Sequence, residues 1–173
     1  TKRLRIGAEG TLGIFTAASL RLSLAIGDRA VAWVGLSGPE QALSLLRHME
    51  AQLGPIVEGF EVIAADTLGF ILDVIPGTRA PIETRTPWNA LIEIDLDAGA
   101  SGPGAQERME SALAAAFEKG LAIDAAIAAN ETQAEAFWKL RESASEAERS
   151  QGAALQFDIS VPIADMPRFM IEG

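Results

Sequence analysis

The stretch that decides the fold is Ala30-Val31-Ala32-Trp33-Val34-Gly35-Leu36 followed by Ser37-Gly38-Pro39-Glu40. Seven largely apolar residues end in a turn-forming pair, and a proline then stands where a helix can begin without losing a hydrogen bond. The first part reads as a short strand. The second opens a helix capped near Ser37 or Gly38, whose apolar positions Ala42, Leu45, Leu46, Met49 and Leu53 recur at helical spacing. Gly54-Pro55 stops that helix, and Ile56 to Ala64 resumes strand character. Ala65 to Ile75 reads as a helix with Asp66 near its cap, and Pro76 to Pro87 as a polar loop. Ala90 to Leu96 (ALIEIDL) alternates like a half-buried strand. A glycine-rich loop over Asp97 to Gly104 leads to a helix over Ala105 to Lys119, and Leu121 to Ala129 is read as a strand after Gly120.

With the Ala65–Ile75 helix set aside as an insertion, the order from 30 to 129 is βαββαβ. This is the ferredoxin-like arrangement: an α+β fold with an antiparallel sheet and helices packed on one face. Asn130 then caps a long helix running to about Gln151, with Glu131 in its first turn. Leu155 to Val161 is expected to add a strand, and Ala164 to Ile171 to begin another helix. Upstream, Gly13 to Leu22 (GIFTAASLRL) is expected to be a strand, ended by a turn at Gly27-Asp28. Both ends are expected to be cut, because the first residues precede the domain core and the last helix halts after two turns.

The 173 residues carry 14 Lys plus Arg against 24 Asp plus Glu, a formal charge of −10. That balance argues against nucleic acid and against a polybasic membrane anchor, both of which need clustered cations. No uninterrupted apolar run approaches the ~18 residues of a membrane span. There is no Cys, so disulfides, thiolate nucleophiles and Cys metal sites are excluded. The one His, His48, cannot alone build a zinc site, and it is expected at a surface or boundary position. Trp33 and Trp88 are expected to pack in core or loop. The missing Cys and the lack of a secretory h-region are read as suiting a cytoplasmic location.

Two segments carry candidate chemistry. Gly7-Ala8-Glu9-Gly10-Thr11-Leu12-Gly13-Ile14 spaces three glycines by three. It lacks the ending of a P-loop and the opening of a Rossmann turn. Either it is a tight turn before a strand, or its backbone amides approach a ligand that a Cβ would exclude. The second segment is Phe137-Trp138-Lys139-Leu140-Arg141-Glu142, in which Phe137, Leu140, Ala144 and Ala147 form an apolar stripe. Arg141 lies at its edge, and Ser145 one turn on is expected on the same flank. A guanidinium beside a hydroxyl suits a carboxylate ligand. Arg141 could equally be a solvated charge paired with Glu135, Glu142 or Glu148.

IGAEGTLGI followed by TAASLRL resembles the G-[SA]-E-G-T-L-G-[IV]-[IV]-T segment of flavin-linked oxidases of the vanillyl-alcohol oxidase type. More narrowly, it resembles the D-lactate, glycolate and D-2-hydroxyglutarate dehydrogenase branch. Trp138 to Glu142 is similar to that branch's W-x-L-R-E stretch. Gln156-Phe157-Asp158-Ile159-Ser160-Val161-Pro162 is similar to its K-[HY]-D-[IL]-S-[VL]-P strand, with Gln156 standing where the family has Lys. The resemblance covers most of the chain.

The resemblance implies that residues 1–28 close a FAD-binding domain and that 29–173 form the first part of a substrate cap. It places Gly7, Glu9, Gly10, Thr11, Leu12, Gly13 and Ile14 against the FAD. It assigns Arg141, Ser145 and Gln156 to the substrate, a small 2-hydroxy acid, and implies a separate electron acceptor. Gln156 for Lys removes a positive charge and weakens the case for a dicarboxylate. Asp158 and Ser160 share a strand face and are as well explained by anchoring the next element. The family's metal-binding H-x-x-D-G-N-x-H segment is not in this sequence, so a divalent metal and the base would come from residues beyond it. The chain alone is then expected to bind FAD poorly and to be inactive, and a homodimer stays open. The competing reading is a non-catalytic ferredoxin-like module that binds a small molecule or a protein.

Overall fold

The structure, a computed structural model, describes residues 2–22, 25–153 and 159–172. Among them, helix α1 (Lys2–Arg5) is followed by turns, and the sheet begins with β1 (Ile26–Leu36). The chain then runs through α2 (Pro39–Leu53), β2 (Val57–Ala64), α3 (Ala65–Val74), β3 (Trp88–Asp97), α4 (Ala105–Glu118) and β4 (Asp124–Ile127). It ends with α5 (Glu131–Glu142), α6 (Ala144–Ser150) and α7 (Met166–Glu172).

The four strands form one antiparallel sheet in the order β2-β3-β1-β4. That is the strand order of a ferredoxin-like βαββαβ unit, as the spacing of turns and apolar runs predicts. The two helices of that unit, α2 and α4, share a face with Ala32, Val34 and Leu36 of β1 and Ala90, Ile92 and Ile94 of β3. The opposite face is covered as well. Val31, Trp33, Ile63 and Leu91 pack there against Ile71 of α3, Phe137 and Leu140 of α5 and Ala147 of α6. The inserted helix and the helix after β4 therefore add a second layer, and the central strands are buried on both sides.

Five local readings are corrected. Residues 13–22 form no strand. An isolated strand leaves its backbone groups unpaired, and among the described residues the hydrogen bonds of 2–22 lie within that segment. Gly27-Asp28 is not a turn but the irregular start of β1, where the register shifts between Ile26 and Asp28. A Cβ on Gly27 would lie 2.6 Å from the Ala98 Cα, so close backbone approach is what calls for glycine there. Asp28 in turn accepts the Ala105 N–H at 2.7 Å and satisfies the free amino end of α4 from across the fold. The long helix is interrupted at Ser143, giving α5 and α6. Of the expected strand over Leu155 to Val161, residues 155–158 lie outside the described residues, and 159–161 are not strand.

His48 is the fifth correction. It is buried rather than at the surface, because α4 packs against this face of α2. Its Nε2 lies 3.0 Å from the Ala112 carbonyl and its Nδ1 3.2 Å from the Lys119 ammonium. A carbonyl can only accept and an ammonium only donate, so the ring is the neutral tautomer with its proton on Nε2.

Candidate substrate-carboxylate site

Helix α5 is seated by its own sequence. The cap Asn130 accepts the Gln133 N–H at 3.0 Å, and Gln133 Oε1 accepts the N–H of Ala129, the residue before the cap, at 2.9 Å, so the start of the helix is closed by two side-chain hydrogen bonds. Ala134, Phe137 and Leu140 face the sheet. Phe137 meets Trp33 edge to face, with ring centroids 6.2 Å apart. This fixes the rotation of α5 and sends Trp138 and Arg141 to the flank over β2 and β3.

The sheet beneath that flank turns from apolar to acidic along β3. Leu91 is followed on the same face by Glu93 and Asp95 (the i, i+2 spacing of a strand), and Gly59 and Glu61 of β2 stand opposite Glu93 and Leu91. The Trp138 indole N–H donates to Glu93 Oε2, and the ring lies over Gly59. Arg141 Nε is 3.2 Å from Glu61 Oε2, with both side chains substantially exposed. Arg29 of β1 completes the cluster. Its Nε donates to Glu131 Oε2 at 3.2 Å, a second N–H reaches Glu131 Oε1, and its Nη1 is 3.6 Å from Glu93 Oε2.

Asp95 lies at the end of this row. Its Oδ1 is buried with no hydrogen-bond partner among the described residues. Burial raises its pKa, Glu93 and Glu58 raise it further, and Arg29 pulls the other way. A carboxyl whose native pKa is raised binds its proton more tightly folded than unfolded. It therefore detracts nothing below the ordinary aspartate range, and its cost grows as pH rises through the raised native value. Asp95→Asn should unfold at a higher temperature than the parent at neutral pH, with the gap closing as the pH falls below 4 in thermal melts. A gap independent of pH would contradict this assignment.

The candidate residues fall in three places. Arg141 stands at the edge of α5, paired across the fold with Glu61. Ser145 is exposed on α6, beyond the break at Ser143, so the four-residue spacing alone no longer puts it on the flank of Arg141. Gln156 lies outside the described residues. Glu61, Glu93 and Arg29 are absent from the residues the sequence picks out, and Trp138 enters there only as the start of the W-x-L-R-E stretch. The i, i+2 acids of ALIEIDL were a readable signal, whereas the Arg141–Glu61 pair joins residues 80 apart and had none.

The glycine segment is a series of turns at the surface. Gly7, Gly10 and Gly13 have φ of 78°, 81° and 124°, where L side chains are strained, and a Cβ on any of them would meet nothing within 4 Å. Conformation, not crowding, calls for glycine there. Thr11 donates to the Ala8 carbonyl through both its amide and its hydroxyl. Leu12, Ile14 and Phe15 are 51, 88 and 61% exposed. An open backbone beside exposed apolar side chains fits one wall of a site for a planar cofactor such as FAD. A metal does not fit: among the described residues no three His, Asp or Glu are placed to hold one, and His48 is already engaged on both ring nitrogens.

Residues 27–172 match the model of the family described as FAD linked oxidases, C-terminal domain. Among curated proteins, the chain is 30% identical over 165 residues to a mitochondrial D-2-hydroxyglutarate dehydrogenase of Arabidopsis thaliana, covering 95% of this chain and 29% of that protein. It is 32% identical over 162 residues to the mitochondrial enzyme of the same name from Danio rerio, covering 94% and 30%. A D-2-hydroxyglutarate dehydrogenase of Stutzerimonas stutzeri is 31% identical over 177 residues, covering 99% and 35%. The chain thus spans about a third of the length of these relatives. Their names give no support to the glycolate side of the resemblance. The expectation of a cytoplasmic location is overturned by the plant and animal relatives, which are named mitochondrial. Lack of cysteine excludes disulfides but does not distinguish one reducing compartment from another. With a family match over nearly all of the sheet and its helices, this chain belongs to the FAD linked oxidases, as their C-terminal domain.

Proposed function

We propose that the intact protein is a FAD-dependent dehydrogenase that oxidises a D-2-hydroxy acid to the 2-oxo acid, and that this chain supplies its substrate cap. The observation that carries the reading is Arg141. It is a cation held at an exposed helix edge by a partner that engages Nε, in a chain whose relatives are named for hydroxy-acid oxidation. Residues 1–28 are assigned to the end of the flavin domain and 29–173 to the cap. A family match that starts at 27 supports that division, as do exposed Leu12, Ile14 and Phe15, which need cover from elsewhere.

Bound FAD supplies the hydride acceptor. Toward it, Gly7, Glu9, Gly10, Thr11, Leu12, Gly13 and Ile14 present open turns and apolar side chains. Arg141 takes the substrate carboxylate through its terminal N–H groups and so fixes the orientation of the carbinol carbon. Ser145 and Gln156 are assigned to the same substrate by the family resemblance, with Ser145 exposed on α6 and Gln156 outside the described residues. Gln156 in place of lysine removes a positive charge and weakens the case for a dicarboxylic substrate, while the relatives named D-2-hydroxyglutarate dehydrogenases argue for one, so the test below includes both kinds of acid. The electrons leave to a separate acceptor.

The test is anaerobic mixing of the flavin-loaded full-length protein with D-lactate, D-2-hydroxyglutarate and their L enantiomers. Loss of the oxidised-flavin absorption band with a D acid and not with its enantiomer is expected. A flavin that no D-2-hydroxy acid reduces would sink the reading.

A further inference from the structure

We infer that Glu61 is a positioning residue for substrate binding: it holds Arg141 by Nε and leaves the terminal fork to face a carboxylate. The inference rests on the proposed role of Arg141 and deepens it.

Three observations converge on Glu61. First, the pair links a strand to a helix. Glu61 belongs to β2, in ladder register with Leu91, while Arg141 lies in the last turn of α5. A strand residue is fixed by its ladder, whereas an arginine at a helix edge has several rotamers and, untethered, sweeps a wide volume. Second, the 3.2 Å contact is made at Nε. An arginine gripped there retains the two Nη groups, which can meet a carboxylate with two parallel hydrogen bonds. Third, the rest of the flank is held firm one turn earlier, where Trp138 is clasped by Glu93 and lies on Gly59. The neighbouring acids Glu93 and Glu131 are engaged by Trp138 and Arg29. Among the described residues, the ion pair shown for Arg141 is the one with Glu61.

Stability does not account for the pair. Its side chains are 46% and 37% exposed, and ion pairs in such surroundings contribute little to folding. Orientation of the guanidinium is where it can matter. An anion beside the site also opposes a substrate carboxylate. The tether outweighs that repulsion only if the ordering of Arg141 is worth more, and the sign of the effect on KM decides between the two.

The experiment uses the flavin-loaded full-length protein, with D-lactate and D-2-hydroxyglutarate as substrates and a dye as acceptor. Glu61→Gln should raise KM about five- to tenfold with kcat within twofold, the pattern of lost binding common to ground and transition states. Glu61→Asp should recover part of it. In an Arg141→Ala background Glu61→Gln should change nothing further, which a general loosening of the fold would not reproduce. If Arg141→Ala raises KM and Glu61→Gln leaves it unchanged, the inference falls and the role of Arg141 stands. A lower KM in Glu61→Gln also overturns it, since Glu61 would then compete with the substrate. If Arg141→Ala itself leaves KM unchanged, the role of Arg141 falls and the inference with it.

Discussion

Arg141→Ala in the full-length protein should lower kcat/KM for its D-2-hydroxy acid about a hundredfold, chiefly through KM. A carboxylate gripped by two charge-assisted hydrogen bonds gains roughly 1.5–3 kcal/mol from each. Taking the low end for a partly exposed site gives about 3 kcal/mol, or two powers of ten at 1.4 kcal/mol each. The same substitution should hardly move the unfolding midpoint, because the Arg141 side chain is 46% exposed and its ion pair is worth at most ~1 kcal/mol. That split separates the two readings of this residue. A solvated helix charge would, on removal, change stability by tenths of a kcal/mol and kinetics not at all. Arg141→Lys should recover only part of the loss, since an ammonium cannot match both carboxylate oxygens in one plane. Steady-state kinetics of the three proteins decide it, and kcat/KM of Arg141→Ala within threefold of the parent would remove Arg141 from substrate binding.

The sheet was legible because its signals are local. AVAWVGL, the Pro39 helix start, the Gly54-Pro55 stop and the alternation of ALIEIDL each depend on neighbours a few residues away, and the structure places β1, α2, β2 and β3 close to those boundaries. The second helical layer departs from the expectation of helices on one face, although its signal is present in the same stretch. AVAWVGL does not alternate, and an unbroken apolar run is the mark of a strand buried on both faces. What could not be read is what depends on a distant partner. GIFTAASLRL has the composition of a strand and no neighbour to pair with among the described residues. His48 has a helix-surface pattern around it, and its burial comes from α4, some 60 residues on.

The candidate site divides along the same line. Arg141 could be picked out as a cation at the edge of an apolar stripe. Its flank companions could not, because Glu61, Glu93 and Arg29 come from three strands whose order is a property of the whole fold. The Ser143 break likewise leaves no strong mark, since serine in a helix interior is only mildly unfavourable. The glycine segment is the reverse case. Its φ values match what glycine allows, but its surroundings in this chain are open solvent. Its sequence therefore says more about what it would touch than its own contacts do.

The largest effect on stability should come from Trp33→Ala, at about 4 kcal/mol. Trp33 is fully buried at the centre of β1, between ladder partners Leu91 and Ala126. Three losses add up there. Removal of the indole opens a cavity that a close-packed sheet cannot refill. The edge-to-face contact with Phe137 goes with it. Asn89 Oδ1 loses the Trp33 N–H at 3.0 Å and keeps only Thr86 Oγ1 at 3.2 Å, in a side chain whose Nδ2 is already buried without a partner among the described residues. Against a typical total of 5–15 kcal/mol this is a large share, and for a domain of this size it corresponds to a midpoint lower by roughly 10 °C. Trp33→Phe retains most of the volume and loses the hydrogen bond, so it should cost only about 1–2 kcal/mol. Denaturant unfolding of the two variants ranks the terms: equal losses would make the hydrogen bond, not packing, the dominant contribution. The consequence reaches the candidate site. Phe137 sets the rotation of α5, and Arg141 lies one turn further along, so Trp33→Phe should also raise KM if the seat of the helix aims the guanidinium. An unchanged KM in a destabilised Trp33→Phe protein would show that the Glu61 tether holds the guanidinium without help from the core.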